Sequence, residues 1–75
     1  MWALITNCGK QLTINSKVRE NSDGHLAVYK IVEVESDQFK LKLIEKNNSP
    51  VSEEVGPVLS CIQMLQYAFE VEQKG

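Results

Sequence analysis

The residue types that most often carry chemistry are scarce in this chain: one histidine and two cysteines among 75 residues. His25 follows Ser22 and Asp23 at a turn, which brings together the three residue types of a hydrolytic triad. Such triads are assembled by tertiary contacts, and they need an ordered relay of hydrogen bonds rather than adjacency within one turn. We therefore interpret the segment as a solvated turn between strands and predict that the protein is not an enzyme.

Cys8 and Cys61 are the other candidate reactive groups. A nucleophilic thiol needs a neighbouring base or cation that lowers its pKa, but Cys61 lies among apolar residues and no activating base stands beside Cys8. The spacings match no zinc site, no calcium loop and no phosphate-binding glycine loop. We predict no catalytic residue, no metal and no cofactor. In the reducing compartment that we expect, Cys8 and Cys61 are interpreted as two buried or half-buried thiols, and a disulfide between them is the less favoured alternative that the sequence leaves open.

Composition places the chain among small globular proteins. Hydrophobic residues make up 43% of it and the formal net charge is −2, which argues against disorder and against a strongly basic nucleic-acid binder. We expect one domain, residues 1–75. The first residues lack a basic signal-peptide region, and no stretch approaches the ~20 apolar residues of a membrane span. We therefore expect no membrane association and a cytoplasmic location, in a cell or in a virus-infected host.

Alternation of apolar and polar residues predicts a β-rich part, residues 1–46, with four strands. The strands are expected at residues 2–6, 11–19, 25–35 and 39–44, with the first one central or tightly covered. Leu12, Ile14 and Val18 share one parity, which predicts one buried face for the second strand. Turns are expected at residues 21–24 and 36–38, and a β-bulge near Lys30.

The last third of the chain is predicted to be a loop followed by a helix. Residues 45–57 are rich in Asn, Ser, Pro and Glu, which favours a loop. Residues 57–71, wound at about 100° per residue, gather apolar side chains on one side. The apolar arc is wider than the ~100° stripe that one core contact needs. It consists of Val58, Cys61, Ile62, Met64, Leu65, Ala68, Phe69 and Val71.

These elements predict an α+β fold: a small four-stranded antiparallel meander with one C-terminal helix packed on it. An alternative comes from Tyr67, Phe69 and Val71, which alternate with polar or small residues as in a strand. In that alternative a short helix precedes a last strand, and the sheet closes into a small barrel of SH3-like or OB-like character.

The excess apolar surface of the predicted helix indicates a partner. We expect a non-enzymatic protein-binding module, such as a regulator, an adaptor or an inhibitor, that masks or bridges another protein and forms a homodimer through the helix. Tyr and Met are favoured at interfaces. The predicted contact residues are Leu59, Met64, Tyr67 and Val71, with Lys40 and Lys42 as an electrostatic rim.

Nucleic-acid binding is the alternative function. Lys40 and Lys42 project from one face of a predicted hairpin, and Tyr29 could supply a ring on which a base stacks. Glutamates interleave with these lysines, however, as on an ordinary mixed-charge strand surface. Single-stranded or non-specific nucleic acid is therefore the less favoured partner.

Overall fold

The computed structural model describes residues 1–22 and 24–73, and over these residues the chain is mostly β. In chain order the elements are β1 Trp2–Leu4, α1 Cys8–Gln11, β2 Lys17–Ser22, β3 His25–Glu35, β4 Gln38–Lys46, β5 Ser49–Ser60, α2 Cys61–Gln66 and β6 Glu70–Glu72. The strands of this part form one six-stranded antiparallel open sheet in the order β1-β6-β2-β3-β4-β5. Because β6 lies between β1 and β2, the two ends of the chain meet at one side of the sheet.

The central hairpin confirms the sequence prediction. The strand β3 has the bounds that its alternation predicts, and β4 begins directly after the turn at Ser36 and Asp37. The pairing of β3 with β4 shifts register on both sides of Lys30, between Val28 and Tyr29 and between Ile31 and Glu33, so the predicted bulge is present. These shifts explain why Val28 and Ile31, which have opposite parity, are both buried.

The predicted loop over residues 45–57 is wrong, because most of this segment is the long strand β5. Asn47 and Asn48 have φ angles of 50° and 67° and form a two-residue turn between β4 and β5. Positive φ at both central positions is the geometry of a tight β-hairpin turn, and Asn tolerates it better than most residues. Since β5 is the outermost strand of the sheet, it can contain Pro50 and Pro57, which would interrupt a central strand.

The predicted helix over residues 57–71 is also wrong. Residues up to Ser60 belong to β5, the helix α2 covers only Cys61–Gln66, and residues 70–72 form β6. The alternative, a short helix followed by a last strand, is correct in this outline, although the sheet is open rather than a closed barrel.

Local signals define both ends of α2. At its beginning, the Gln63 N–H donates to Ser60 Oγ at 3.3 Å, and the Ser60 N–H donates to Gln63 Oε1 at 2.9 Å, which is a capping box. At its end, Ala68 has a φ of 53°, and the Phe69 N–H donates to the carbonyl of Met64 at 3.0 Å. This Schellman turn stops the helix and directs the chain back into the sheet.

The N-terminal part differs from its prediction in two respects. The strand expected over residues 11–19 begins only at Lys17, because residues 8–11 form α1, capped by Asn7. Leu12 and Val18 are buried as expected, whereas Ile14 is 56% exposed. In addition, β1 is an edge strand and not a central one. Turn residue Asp23 lies outside the described residues.

One hydrophobic core unites the two ends of the chain with the central strands. Its buried members are Ile5, Cys8, Leu12, Val18, Ile31, Phe39, Leu41, Leu59, Met64, Phe69 and Val71. The interpretation of Cys8 and Cys61 as two thiols is wrong, because a disulfide between them joins the first residue of α1 to the first residue of α2. Disulfides persist mainly in oxidising compartments, so this bond adds no support to the cytoplasmic location, which stays a prediction.

A side-chain cluster ties three strands together at the β1 edge. Arg19 of β2 donates from Nε to Glu70 Oε1 of β6 at 2.8 Å, and its guanidinium lies 4.6 Å from the ring centroid of Trp2 in β1. The cluster therefore anchors two strands of only three residues each.

Among the helices of the described residues, none has the length and apolarity that crossing a membrane requires.

Candidate interaction surface

Three of the predicted contact residues lie in the core instead of on the surface. Leu59, Met64 and Val71 are 9%, 0% and 3% exposed, so the expectation that they form an accessible face is wrong. The reason is the change of element: Leu59 belongs to β5 and Val71 to β6, where strand pairing turns both side chains inward. Tyr67 does lie at the surface, 52% exposed.

The exposed part of α2 is formed by other residues. Ile62 and Leu65 are 65% and 43% exposed, and Gln66 is also exposed. Residues three and four apart lie side by side on a helix, so these three form one surface, which we call the α2 face. Met64 points the opposite way, into the core. Tyr67, the C-cap residue, lies beside the α2 face.

The α2 face is held rigidly although the helix is short. The capping box fixes its first turn, and the Cys61 N–H donates to the carbonyl of Asp37 in the β3–β4 turn at 3.2 Å. The disulfide from Cys61 to Cys8 and the buried Met64 attach it to the rest of the fold. A partner would therefore meet a preformed surface, which lowers the entropic cost of association.

The α2 face also lies in the longest uncharged segment of the sequence. No Asp, Glu, Lys, Arg or His occurs between residues 55 and 69. Charged side chains lie on other parts of the surface: the β1 edge carries Arg19 and Glu70, and the central strands carry alternating lysines and glutamates. Depletion of charge together with exposed large apolar side chains is the composition of the centre of a protein interface.

Of the two lysines predicted as a rim or as a nucleic-acid surface, Lys40 is exposed and Lys42 is half-buried, and each is paired with a glutamate. Lys40 Nζ lies 3.9 Å from Glu33 Oε2, and Lys42 Nζ lies 3.9 Å from Glu53 Oε2. Glu53 also accepts a hydrogen bond of 2.8 Å from Lys30 Nζ. The Lys30 hydrogen bond and charge, with a smaller contribution from Lys42, lower the pKa of the Glu53 carboxyl. Nucleic-acid binding at this face stays a prediction that gains no support from these pairs.

The candidate groups for catalysis are not brought together. His25 is exposed at the start of β3, and both cysteine sulfurs are bonded to each other, so neither is a nucleophilic thiol in this state. Over residues 1–22 and 24–73 no group of three His, Cys, Asp or Glu side chains has the proximity to hold a metal ion.

Comparisons with protein-family models, with curated proteins and with solved structures find no match for this chain. The sequence contained a signal that could have located the α2 face: Ser60 and Gln63 have the spacing of a capping box. A helix that begins at Cys61 with Met64 inward must present Ile62 and Leu65 outward.

Proposed function

We propose that this chain is a non-enzymatic protein-binding module whose contact surface is the α2 face with Tyr67 beside it. The observation that carries the proposal is the exposure of Ile62, Leu65 and Tyr67 within an uncharged segment. Single exposed apolar side chains are ordinary, but two adjacent ones on a capped and disulfide-linked helix form a rigid apolar surface.

The affinity of such a surface comes mainly from the apolar area that it buries on binding. Burying the exposed parts of a Leu, an Ile and a Tyr in an interface removes apolar area from water. Each Å² removed stabilises the complex by about 25 cal/mol. The cost of ordering α2 offsets only a small part of this free energy, because the conformation of the helix is already fixed. Lys40 and Lys42 remain candidates for a rim, where exposed ion pairs contribute little to affinity and act mainly on association rate.

Site-specific crosslinking tests the proposal. A photo-crosslinking amino acid is placed at Leu65 in one variant and at Ile14 in another, and each is irradiated in lysate of the native host. Ile14 is the matched control, because it is an aliphatic residue of similar exposure outside the α2 face. We expect a discrete crosslinked protein product from position 65 and none from position 14. Equal or absent crosslinking at the two positions contradicts the proposal.

A further inference from the structure

We propose that the Cys8–Cys61 disulfide is a redox switch, and that its reduction by a dithiol opens the part of the fold built by the two chain ends while β2–β5 stay paired. This part, which we call the terminal unit, comprises residues 1–12 and 61–73 and contains β1, α1, α2 and β6. The disulfide joins its two segments at a sequence separation of 53. Because distant segments lose chain entropy when they meet, the bond favours their association.

Strand pairing between the terminal unit and the central strands is short. The pairing of β6 with β2 covers two positions of β2, Val18 and Arg19. By contrast, β2 pairs with β3 along its whole length, and β4 pairs with β3 along nearly all of its length. Opening of the terminal unit therefore breaks few hydrogen bonds of the central strands, which is the condition for a part of a fold to open by itself.

The helices of the terminal unit depend on its packing. The helix α1 has four residues and α2 has six, far fewer than the ~12–15 residues at which an isolated helix becomes marginally stable in water. Buried Ile5 and Phe69 hold the two segments together, and the Ile5 N–H donates to the carbonyl of Phe69 at 3.0 Å. Without the disulfide, such contacts alone must offset the lost chain entropy, and a domain of this size has a thin stability margin.

Reduction proceeds by thiol–disulfide exchange. Cys61 is half-buried whereas Cys8 is buried, so a reductant reaches the bond from the Cys61 side. A thiolate of the dithiol forms a bond with Cys61 Sγ while the S–S bond breaks, and Cys8 Sγ leaves with the electron pair and takes up a proton. The second thiolate of the reductant then displaces Cys61 Sγ, which also takes up a proton. The dithiol is thereby oxidised to a disulfide, and both cysteines become thiols.

The α2 face belongs to the terminal unit, so the switch regulates it. In the oxidised chain Ile62 and Leu65 are presented on a fixed helix. In the reduced chain they lie on an opened segment, and a partner that binds there must offset the entropy of ordering it. This consequence rests on the proposed function, whereas the opening itself does not.

Amide hydrogen exchange of the full chain, followed by NMR with the disulfide intact and after reduction by dithiothreitol without denaturant, tests the switch. The reporters are Ile5, Leu12 and Phe69, whose N–H groups donate to carbonyls within the terminal unit. Ile31 of β3 is the matched control, because its N–H donates to the Ser16 carbonyl at 2.9 Å. On reduction, protection at the three reporters should fall about tenfold or more beyond any fall at Ile31, and reoxidation should restore it.

The double variant Cys8→Ser with Cys61→Ser separates loss of the bond from other effects of the reductant. It should show the exchange pattern of the reduced chain without dithiothreitol and should not respond to it. The fluorescence of Trp2, whose ring centroid lies 4.6 Å from the Arg19 guanidinium, should shift to longer wavelength in both forms as the terminal unit opens. Equal protection changes at Ile31 and the reporters, or a bond that is reduced only in urea, overturn the inference.

Crosslinking from position 65 distinguishes the switch from the proposed function. The photo-crosslinking variant at Leu65 is compared with and without the two serine substitutions, in lysate whose free thiols have been alkylated so that the disulfide persists. We expect the crosslinked product from the disulfide-bonded chain and little from the serine variant. Equal products from both chains overturn regulation of the α2 face. If neither chain yields a product, the proposed function is wrong, and selective loss of protection still supports the switch.

Discussion

Gly56 of β5 lies so close to Leu41 of β4 that a Cβ atom built on Gly56 would be 2.8 Å from the Leu41 carbonyl oxygen. The same atom would be 3.3 Å from Cδ1 of Tyr29. Gly56 lies between Val55 and Val58, which pair with Lys42 and Lys40 of β4. The pairing of β5 with β4 shifts register between these two pairs. The absence of a side chain therefore lets the edge strand approach the sheet at this irregularity.

Gly56→Ala is expected to destabilise the fold by about 1–3 kcal/mol, because the new methyl group meets backbone atoms that cannot move aside. Urea unfolding followed by Trp2 fluorescence measures the loss. Gly9→Ala is the matched control: its Cβ would have Asn7 Oδ1 as its nearest contact, at 3.6 Å, and it lies in α1. An equal response of the two variants contradicts the close packing at Gly56.

The Cys8–Cys61 disulfide should contribute strongly to stability. It closes a loop across a sequence separation of 53 residues, and the loss of loop entropy in the unfolded chain predicts about 4 kcal/mol. Urea unfolding of the oxidised protein and of the same protein kept reduced by a dithiol should differ by this amount. The double variant Cys8→Ser with Cys61→Ser should resemble the reduced form. Coincident unfolding midpoints of the oxidised and reduced protein would show that the bond is not a stabilising link.

Ala68→Gly should stabilise the protein. Ala68 has a φ of 53°, a left-handed conformation that costs a residue with a Cβ about 1–2 kcal/mol, and glycine removes this cost. The greater freedom of glycine in the unfolded chain offsets part of the gain, so a net increase of about 0.5–1 kcal/mol in unfolding free energy is expected.

Ala27→Gly provides the comparison for that variant, because Ala27 lies within β3, where glycine weakens a strand. Thermal and urea unfolding should shift in opposite directions for the two glycine variants. A loss of stability in both would mean that Ala68 is not strained by its position after α2.

The pKa of Tyr29 should be raised in the folded protein. Burial disfavours the phenolate, and the nearby Glu20 carboxylate adds to the effect, so the pKa lies above the ordinary value of 10.0. The unfolded chain then loses this proton first, and the corresponding stability, present below pH 10, is lost as the pH rises through the folded pKa.

Absorbance at 295 nm measures this titration in a Tyr67→Phe variant, where Tyr29 is the remaining tyrosine. The native midpoint should exceed the midpoint of the same variant in urea. Removing the carboxylate with Glu20→Gln should reduce the difference without abolishing it, because burial is the larger cause. Equal midpoints in the native and unfolded states would contradict the packing of the Tyr29 ring, whose centroid lies 6.2 Å from that of Phe69.

Short-range signals in the sequence were sufficient for the central part of the fold. The alternation in residues 25–35 and 39–44 and the turns beside them predict the β3–β4 hairpin and its bulge, because register and turn type are local properties. Hydrophobic alternation did not predict β5, because this segment has no such alternation of its own. Most side chains of β5 are exposed, so its strand conformation comes from pairing with β4 and leaves little mark on the hydrophobic pattern.

The C-terminal third shows where the tertiary structure decided between two local possibilities. Residues 57–71 fit a helix by periodicity, and residues 66–72 fit a strand equally well. Residues 70–72 form a strand because they pair with β1 and β2, whose residues lie more than 50 positions away in sequence. The same pairing buries Val71, and the neighbouring elements bury Leu59 and Met64, which leaves Ile62, Leu65 and Tyr67 outside.

By itself the sequence determined a small domain with a central hairpin and an uncharged segment near its C-terminus. Which apolar side chains of that segment are exposed, and that Cys8 bonds to Cys61, depended on the approach of the two chain ends across the sheet. The physical reason is that burial and cysteine proximity are properties of pairs of distant segments, whereas periodicity reports only on neighbours along the chain.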